Sequence, residues 1–418
     1  MLKKMPNKKR TIFTKILIWR YKYISERQFI LVLSVLVGFL AGLGTVLLKY
    51  LTLFIQSVLE GGFIRNYYYS LYFIFPIVGV WLVYLIKKNF LKKEIGHGIS
   101  TTLYAISKRS GIIERYKMFA SLMVAPITVG FGGSVGLQGP AVSTGAAIGS
   151  NVASMFHMNA KTRMLLIGCA TAGAMSSMFK APVAAIVFAV EIFSLDLVFT
   201  SLVPLLLASV AAVITSYFFR GTDVLFSFEL LDAWRVKDIV FYVFLGVATG
   251  IASVYFSKMY FLITRFFAWF SNAYVKIGIA ALAIGLMLYL FPPLYGEGYG
   301  LINNLLNGET EAALNGIQYQ IDFNNVWIVI AILLIIAVFK AIAMTTTFAA
   351  GGVGGIFIPT LFMGSALGNS VAKVINQFGF EVSEANFTLI GMTGLMAGVL
   401  HAPLTAIFLI AEITGGYD

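Results

Sequence analysis

Cysteine, histidine and charge are all scarce in this chain. One cysteine, Cys169, occurs in 418 residues, so no disulfide can form within the chain. Its apolar surroundings mark it as a small core side chain rather than a redox centre. Three histidines, His97, His157 and His401, are scattered without metal-ligand spacing, and His-Glu-x-x-His does not occur. Neither a metal site nor a membrane metalloprotease is therefore expected, and the chain reads as something other than an enzyme. Charged residues make up only 11%, and few acidic residues fall within the apolar runs, which argues against a cation-coupled carrier of organic solutes. Alternation of polar and apolar residues over about ten positions is also missing, so a porin-like barrel is excluded.

What is there is apolar. Hydrophobic residues form 59% of the chain and the mean hydropathy is +0.88. Uninterrupted spans are expected near 29–56, 71–86, 199–217, 237–260, 276–291 and 326–345. Shorter apolar pieces fall near 117–130, 141–156, 164–178, 182–193, 356–374, 386–400 and 403–414. A spanning helix needs about 20 apolar residues, so the fold class is all-α, a multi-pass membrane protein. The formal net charge of +12 lies at span edges rather than on a nucleic-acid face. Lys3, Lys4, Lys8, Lys9, Arg10, Lys15, Arg20 and Lys22 precede the first span, and Lys87, Lys88, Lys92 and Lys93 follow the second. Such flanking cations predict a cytoplasmic N-terminus in a cell membrane and no nucleic-acid partner. The basic segment and the span after it are both too long for a cleavable signal peptide.

Two segments carry the same pattern, Gly132-Gly-Ser-Val-Gly-Leu-Gln-Gly-Pro140 and Gly351-Gly-Val-Gly-Gly-Ile-Phe-Ile-Pro359. With two small gaps the correspondence continues through Gly145 with Gly364, Gly149 with Gly368, Ala181-Pro182 with Ala402-Pro403, and Glu191 with Glu412. A weaker echo links Gly96-His-Gly-Ile99 to Gly296-Glu-Gly-Tyr299. The chain thus divides into a basic N-terminal segment (1–27), a first repeat (28–220), a linker (221–235) and a second repeat (236–418). Glycines and a proline opening a short apolar helix mark a helix that starts inside the bilayer. Such a start presents unpaired N–H groups and about half a positive charge. Two of them meeting at the midplane of inverted repeats would bind an anion with backbone alone.

At these residues the chain resembles the CLC family of chloride channels and chloride/proton exchangers. Gly96-His-Gly-Ile-Ser100, Gly136-Leu-Gln-Gly-Pro140, Gly354-Gly-Ile-Phe-Ile-Pro359 and the two Ala-Pro segments carry the resemblance, in order. It implies a homodimer in the lipid bilayer, each subunit with its own chloride path. No cofactor is implied beyond chloride as the transported ligand. The resemblance assigns anion contacts to N–H groups of Leu137, Gln138 and Gly139 and of Ile356, Phe357 and Ile358. It assigns the inner site to His97, Gly98 and Ile99. The 199–217 span would lie near the dimer interface.

The departures from the family pattern bear on mechanism. The family's gate is usually a glutamate, and here Gln138 stands in its place; an amide does not titrate. The inner proton-accepting glutamate of many exchangers corresponds to Ile192, while Glu191, repeated as Glu412, reads as a helix tie. His97 replaces the serine of chloride-selective members. Lys180 is an isolated cation in an apolar run and hence a candidate site residue. The family's last helices, one bearing a tyrosine for the central anion, have no counterpart before Asp418, and Tyr417 is too close to the preceding helix to take that role. Passive chloride conduction is expected; the alternative is an exchanger carrying a glutamate-to-glutamine substitution at the gate.

Overall fold

The computed structural model describes residues 22–60, 68–93, 95–96, 98–194, 199–222, 225–226, 235–317, 319 and 321–414. Most of the expected basic N-terminal segment and of the linker, together with His97 and Tyr417, lies outside them. Among the described residues the chain is helical, with no strand and one isolated antiparallel bridge. The first repeat runs α1 (Glu26–Glu60), α2 (Tyr68–Ile86), α3 (Gly98–Lys108), α4 (Lys117–Gly130), α5 (Gln138–Met155), α6 (Ala160–Phe179), α7 (Pro182–Phe193) and α8 (Phe199–Arg220). The second runs α9 (Ile239–Ala268), α10 (Ala273–Leu290), α11 (Tyr299–Leu306), α12 (Thr310–Ala313), α13 (Val326–Ala349), α14 (Phe357–Gln377), α15 (Glu384–Leu400) and α16 (Pro403–Ile413). Six of these segments are long and apolar enough to cross a membrane, and they coincide with the six expected spans.

Helices α5 and α14 are buried nearly throughout, as helices whose starts leave backbone groups unpaired at membrane depth must be. Glycine makes that burial possible. A Cβ at Gly145 would lie 2.6 Å from Ala170 O, and one at Gly364 would lie 2.7 Å from Met392 Cα, so α5 packs on α6 and α14 on α15 at backbone contact. The small residues of α8 serve a contact inside the subunit. A Cβ at Gly42 of α1 would meet Ala212 Cα at 3.0 Å, and Ser176 of α6 donates to Ser209 O at 2.9 Å. Leu206, Val210 and Ile214, on another face of α8, are exposed.

Reciprocal bonds relate the repeats. Gly136 N–H donates to Gly355 O (3.0 Å) and Gly355 N–H to Gly136 O (2.7 Å). Ser134 N–H donates to Thr347 Oγ1 (3.2 Å), and Val353 N–H to Thr128 Oγ1 (3.1 Å). Glu191 accepts from the N–H groups of Leu404 and Thr405 at the start of α16 (3.1 and 2.8 Å). Glu412 accepts from those of Val183 and Ala184 at the start of α7 (3.1 and 2.8 Å). Each carboxylate thus sits on the positive end of the other repeat's helix. Lys180 and His401, in matching places before the Ala-Pro starts, both adopt left-handed backbone (φ 57° and 54°). Exchange of equivalent bonds in both directions is what a two-fold axis between inverted repeats produces, and the antiparallel bridge lies on it.

Candidate anion site

The two Gly-rich segments meet head to head. Turns with Gly132 and Gly351 in left-handed backbone (φ 93° and 90°) reverse the chain. Those turns deliver Gly136 and Gly355 to the shared bridge, and α5 and α14 begin immediately afterwards. The approach is close enough to require glycine: a Cβ on Gly355 would lie 2.6 Å from Gly139 N, and one on Gly98 would lie 2.8 Å from Gly139 O. Pro140 and Pro359 follow in the first helical turns, where the missing N–H is no loss. The N–H groups of Gln138, Gly139, Phe357 and Ile358 have no acceptor among the described residues. Four donors on two helix ends are therefore collected in a water-poor interior.

A cavity of about 320 Å³ opens beside this junction. Gly98, Ile99, Gly139, Ile192, Gly355 and Ile356 line it, with Tyr260 and Phe348 among the remaining residues. Residues assigned to the inner site, both helix starts and the inner proton position therefore share one space. No Asp, Glu, Lys or Arg is among its described lining residues. Leu137, Phe357 and Ile358 sit behind it, fully buried, with the Phe357 ring 5.3 Å from that of Phe179.

Gln138 is 1% exposed. Its amide Nε2 donates to Tyr299 Oη (2.9 Å) and lies 3.5 Å from Glu297 Oε1, while its Oε1 has no partner. Leu137 N–H, assigned to an anion by resemblance, donates to Glu297 Oε1 at 3.1 Å. Glu297 Oε2 in turn accepts from Lys49 Nζ at 3.0 Å, both side chains nearly buried. Lys49 Nζ also lies 4.7 Å from the centre of the Tyr299 ring. Behind Glu297, the fully buried Lys340 donates to the main-chain oxygens of Leu294, Gly296 and Glu297 (3.4, 3.0 and 3.5 Å) and stands over the Phe362 ring.

Sequence reasoning singled out neither Glu297 nor the two lysines. Glu297 is the counterpart of His97 in the repeat echo, and Lys49 and Lys340 are isolated cations in apolar runs; those were the available signals. Lys180, singled out on the same ground, lies at the periphery, with Nζ on Gly221 O (2.6 Å) and 4.7 Å from the centre of the Tyr217 ring. Gly132-Gly-Ser-Val-Gly136 also fits the Gly-x-Ser-x-Gly spacing of hydrolases. Ser134 is fully buried, however, and its hydroxyl donates to Leu294 O at 2.6 Å, so it is spent on structure.

Comparison with known proteins bears directly on these features. The family model for voltage gated chloride channels matches residues 77–418. The chain belongs to that family. Among its chloride channel relatives, a putative chloride channel protein ClcB-like from Ralstonia nicotianae is 26% identical over 356 residues, covering 82% of this chain and 77% of the relative. An H(+)/Cl(-) exchange transporter ClcA from Vibrio cholerae is 26% identical over 412 residues, covering 93% and 82%. The same CLC fold appears in a slow cyanobacterial Cl-/H+ antiporter, with TM-score 0.76, 20% identity and coverage of 94% and 91%. It appears again in a CLC-type fluoride/proton antiporter, with TM-score 0.73, 23% identity and coverage of 92% and 90%.

Proposed function

We propose that this CLC protein conducts chloride passively across a cell membrane, without coupling to protons and without chemical change in the ion. The observation that carries this reading is the make-up of the route itself. Gln138, a neutral amide, stands at the start of α5, and Ile192 lies on the wall of a cavity whose described lining holds no carboxylate. A proton relay needs titratable groups within reach of one another, and the route offers none at these two positions. The unpaired N–H groups of Gln138, Gly139, Phe357 and Ile358 suit a halide, because partial charges compensate a desolvated anion without trapping it. Chloride as the cargo follows the names of the relatives. A homodimer with cytoplasmic N-termini completes the proposal.

Purified protein in liposomes tests it. With a chloride gradient and a pH-sensitive dye inside, we expect chloride efflux with no accompanying gradient-driven proton movement. Robust proton movement in fixed ratio to chloride would overturn the reading in favour of an exchanger.

A further inference from the structure

We infer that a second cavity, enclosed by the leading ends of α1, α6 and α8, binds an anionic phospholipid. Its phosphate sits between Arg27 and Lys161, and its acyl chain lies on the apolar wall beside them. The site stands whether or not transport is coupled to protons. Only its assignment to the cytoplasmic leaflet rests on the proposed orientation of α1.

This cavity measures about 860 Å³, and its described lining shares no residue with that of the anion cavity. The apolar wall is built by Ile30 and Leu31 of α1, Leu165 of α6, Phe193 of α7, and Val203 and Pro204 of α8. Arg27 and Lys161, each the second residue of its helix, are exposed. Among the described residues neither makes an ion pair or a hydrogen bond, in contrast to Lys49 and Lys373, which are paired. The hydroxyls of Ser194, Thr200 and Ser201, also in the lining, have no partner among the described residues either. Two free cations and three free hydroxyls thus border an apolar hollow. Its depth in the membrane is fixed by α1 and α8, two of the helices able to cross a bilayer, which both begin here. The cavity therefore opens where a bilayer carries its phosphates and continues towards the level of the acyl chains.

Charge selects the headgroup. Arg27, Lys161 and Glu26 are the charged groups of the described lining, and they sum to +1. A phosphodiester without a headgroup amine brings that sum to zero, whereas a zwitterionic lipid leaves the positive charge uncompensated. Arg27 can present two parallel N–H donors to the phosphate oxygens, and Lys161 supplies a point charge from α6. Basic pockets between spanning helices hold anionic headgroups in this way. The apolar wall decides between a lipid and a soluble anion of the same charge. A free phosphate would satisfy the cations and leave the wall in water, while an acyl chain removes that surface from water as well. Position gives the site a bearing on conduction. Ile192 and Phe193 are consecutive in α7, and the first lines the anion cavity while the second lines this one. A lipid held here packs against the same turn that walls the anion route.

Native mass spectrometry of the purified full chain, offered equal amounts of phosphatidylglycerol and phosphatidylcholine in mild detergent, tests the site. The wild type should retain phosphatidylglycerol at least tenfold more than phosphatidylcholine. The double variant Arg27→Gln/Lys161→Gln should lose that preference, its affinity for phosphatidylglycerol falling roughly 30-fold for two cations. Val203→Trp, which fills the cavity without altering charge, should weaken the same binding. Equal retention by the wild type and the double variant would overturn the site. Displacement of the lipid by excess glycerol 3-phosphate would overturn it too, by showing that phosphate alone is the ligand. If the variants do not fold, the wild type decides through a phosphatidylglycerol carrying a photoreactive diazirine in its acyl chain. Labelling at Leu31, Leu165 or Val203 supports the site. Labels absent from all three, as when residues 1–21 or a second copy of the chain fill the cavity, defeat it.

Discussion

Gly355→Ala probes the junction most directly. The added Cβ would lie 2.6 Å from Gly139 N, 0.8 Å short of the 3.4 Å at which ordinary contact begins, and 3.1 Å from Gly139 Cα. Backbone stands on both sides, so no flexible side chain can yield. The two helix starts must separate, which strains the paired bonds between Gly136 and Gly355; overpacking of this kind costs about 1–3 kcal/mol. The methyl also covers Gly139 N–H, a donor otherwise available to an anion. A hydrogen bond to a charged partner contributes about 1.5–3 kcal/mol, so halide affinity should fall by roughly 10- to 150-fold. Calorimetric bromide titration and thermal unfolding in detergent measure the two effects separately. Gly250→Ala in α9 is the control, because a Cβ there meets nothing within 4 Å, and it should leave binding unchanged with stability level or slightly raised. Halide affinity of Gly355→Ala within twofold of wild type would refute the idea that these backbone donors hold the ion.

Two further variants test neighbouring links. Glu191→Ala removes the acceptor for Leu404 N–H, Thr405 N–H and the Thr405 hydroxyl, and should lower stability by about 1.5–3 kcal/mol. Glu412→Ala, which frees only two N–H donors, should cost less; equal melting temperatures for both variants and wild type would contradict the exchange of caps. Gln138→Glu sets a second buried carboxyl about where Nε2 now lies 3.5 Å from Glu297 Oε1. Two ionised carboxylates that close repel each other, so the variant's stability relative to wild type should fall as pH rises from about 5 to about 8. A constant difference across that range, read by thermal unfolding, would show that the two carboxyls do not meet.

The helical architecture was readable because interrupted helices leave a dense local mark. Gly-Gly followed by Pro announced α5 and α14, and Ala-Pro announced α7 and α16, the former at its observed residues 182–193. The expected start of α5 at 141 fell three residues late. Pro140 occupies the first turn of the helix, where it is tolerated. The Glu191 and Glu412 helix ties were anticipated from their repetition, but their targets were not, because capping across a two-fold axis links residues over 200 positions apart. Glu297 escaped for the same reason: its partners Lys49 and Leu137 are brought to it from the other repeat. Lys340 is held by carbonyl oxygens alone, and a carbonyl leaves no trace in a sequence. The small residues of α8 showed that some helix would come close without saying which; the observed neighbours are α1 and α6.

The swap of caps between α7 and α16 also orders biosynthesis. Ala184 waits for a partner 228 residues downstream, and at about 5–20 residues per second that interval is roughly ten to fifty seconds of translation. Throughout that time the leading end of α7 must rest on water, on lipid headgroups or on the insertion machinery. A ribosome that stalled within the second repeat would release a half-built chain in which the opening turn of α7 is unfinished, a mark by which quality-control factors could tell it from the finished protein.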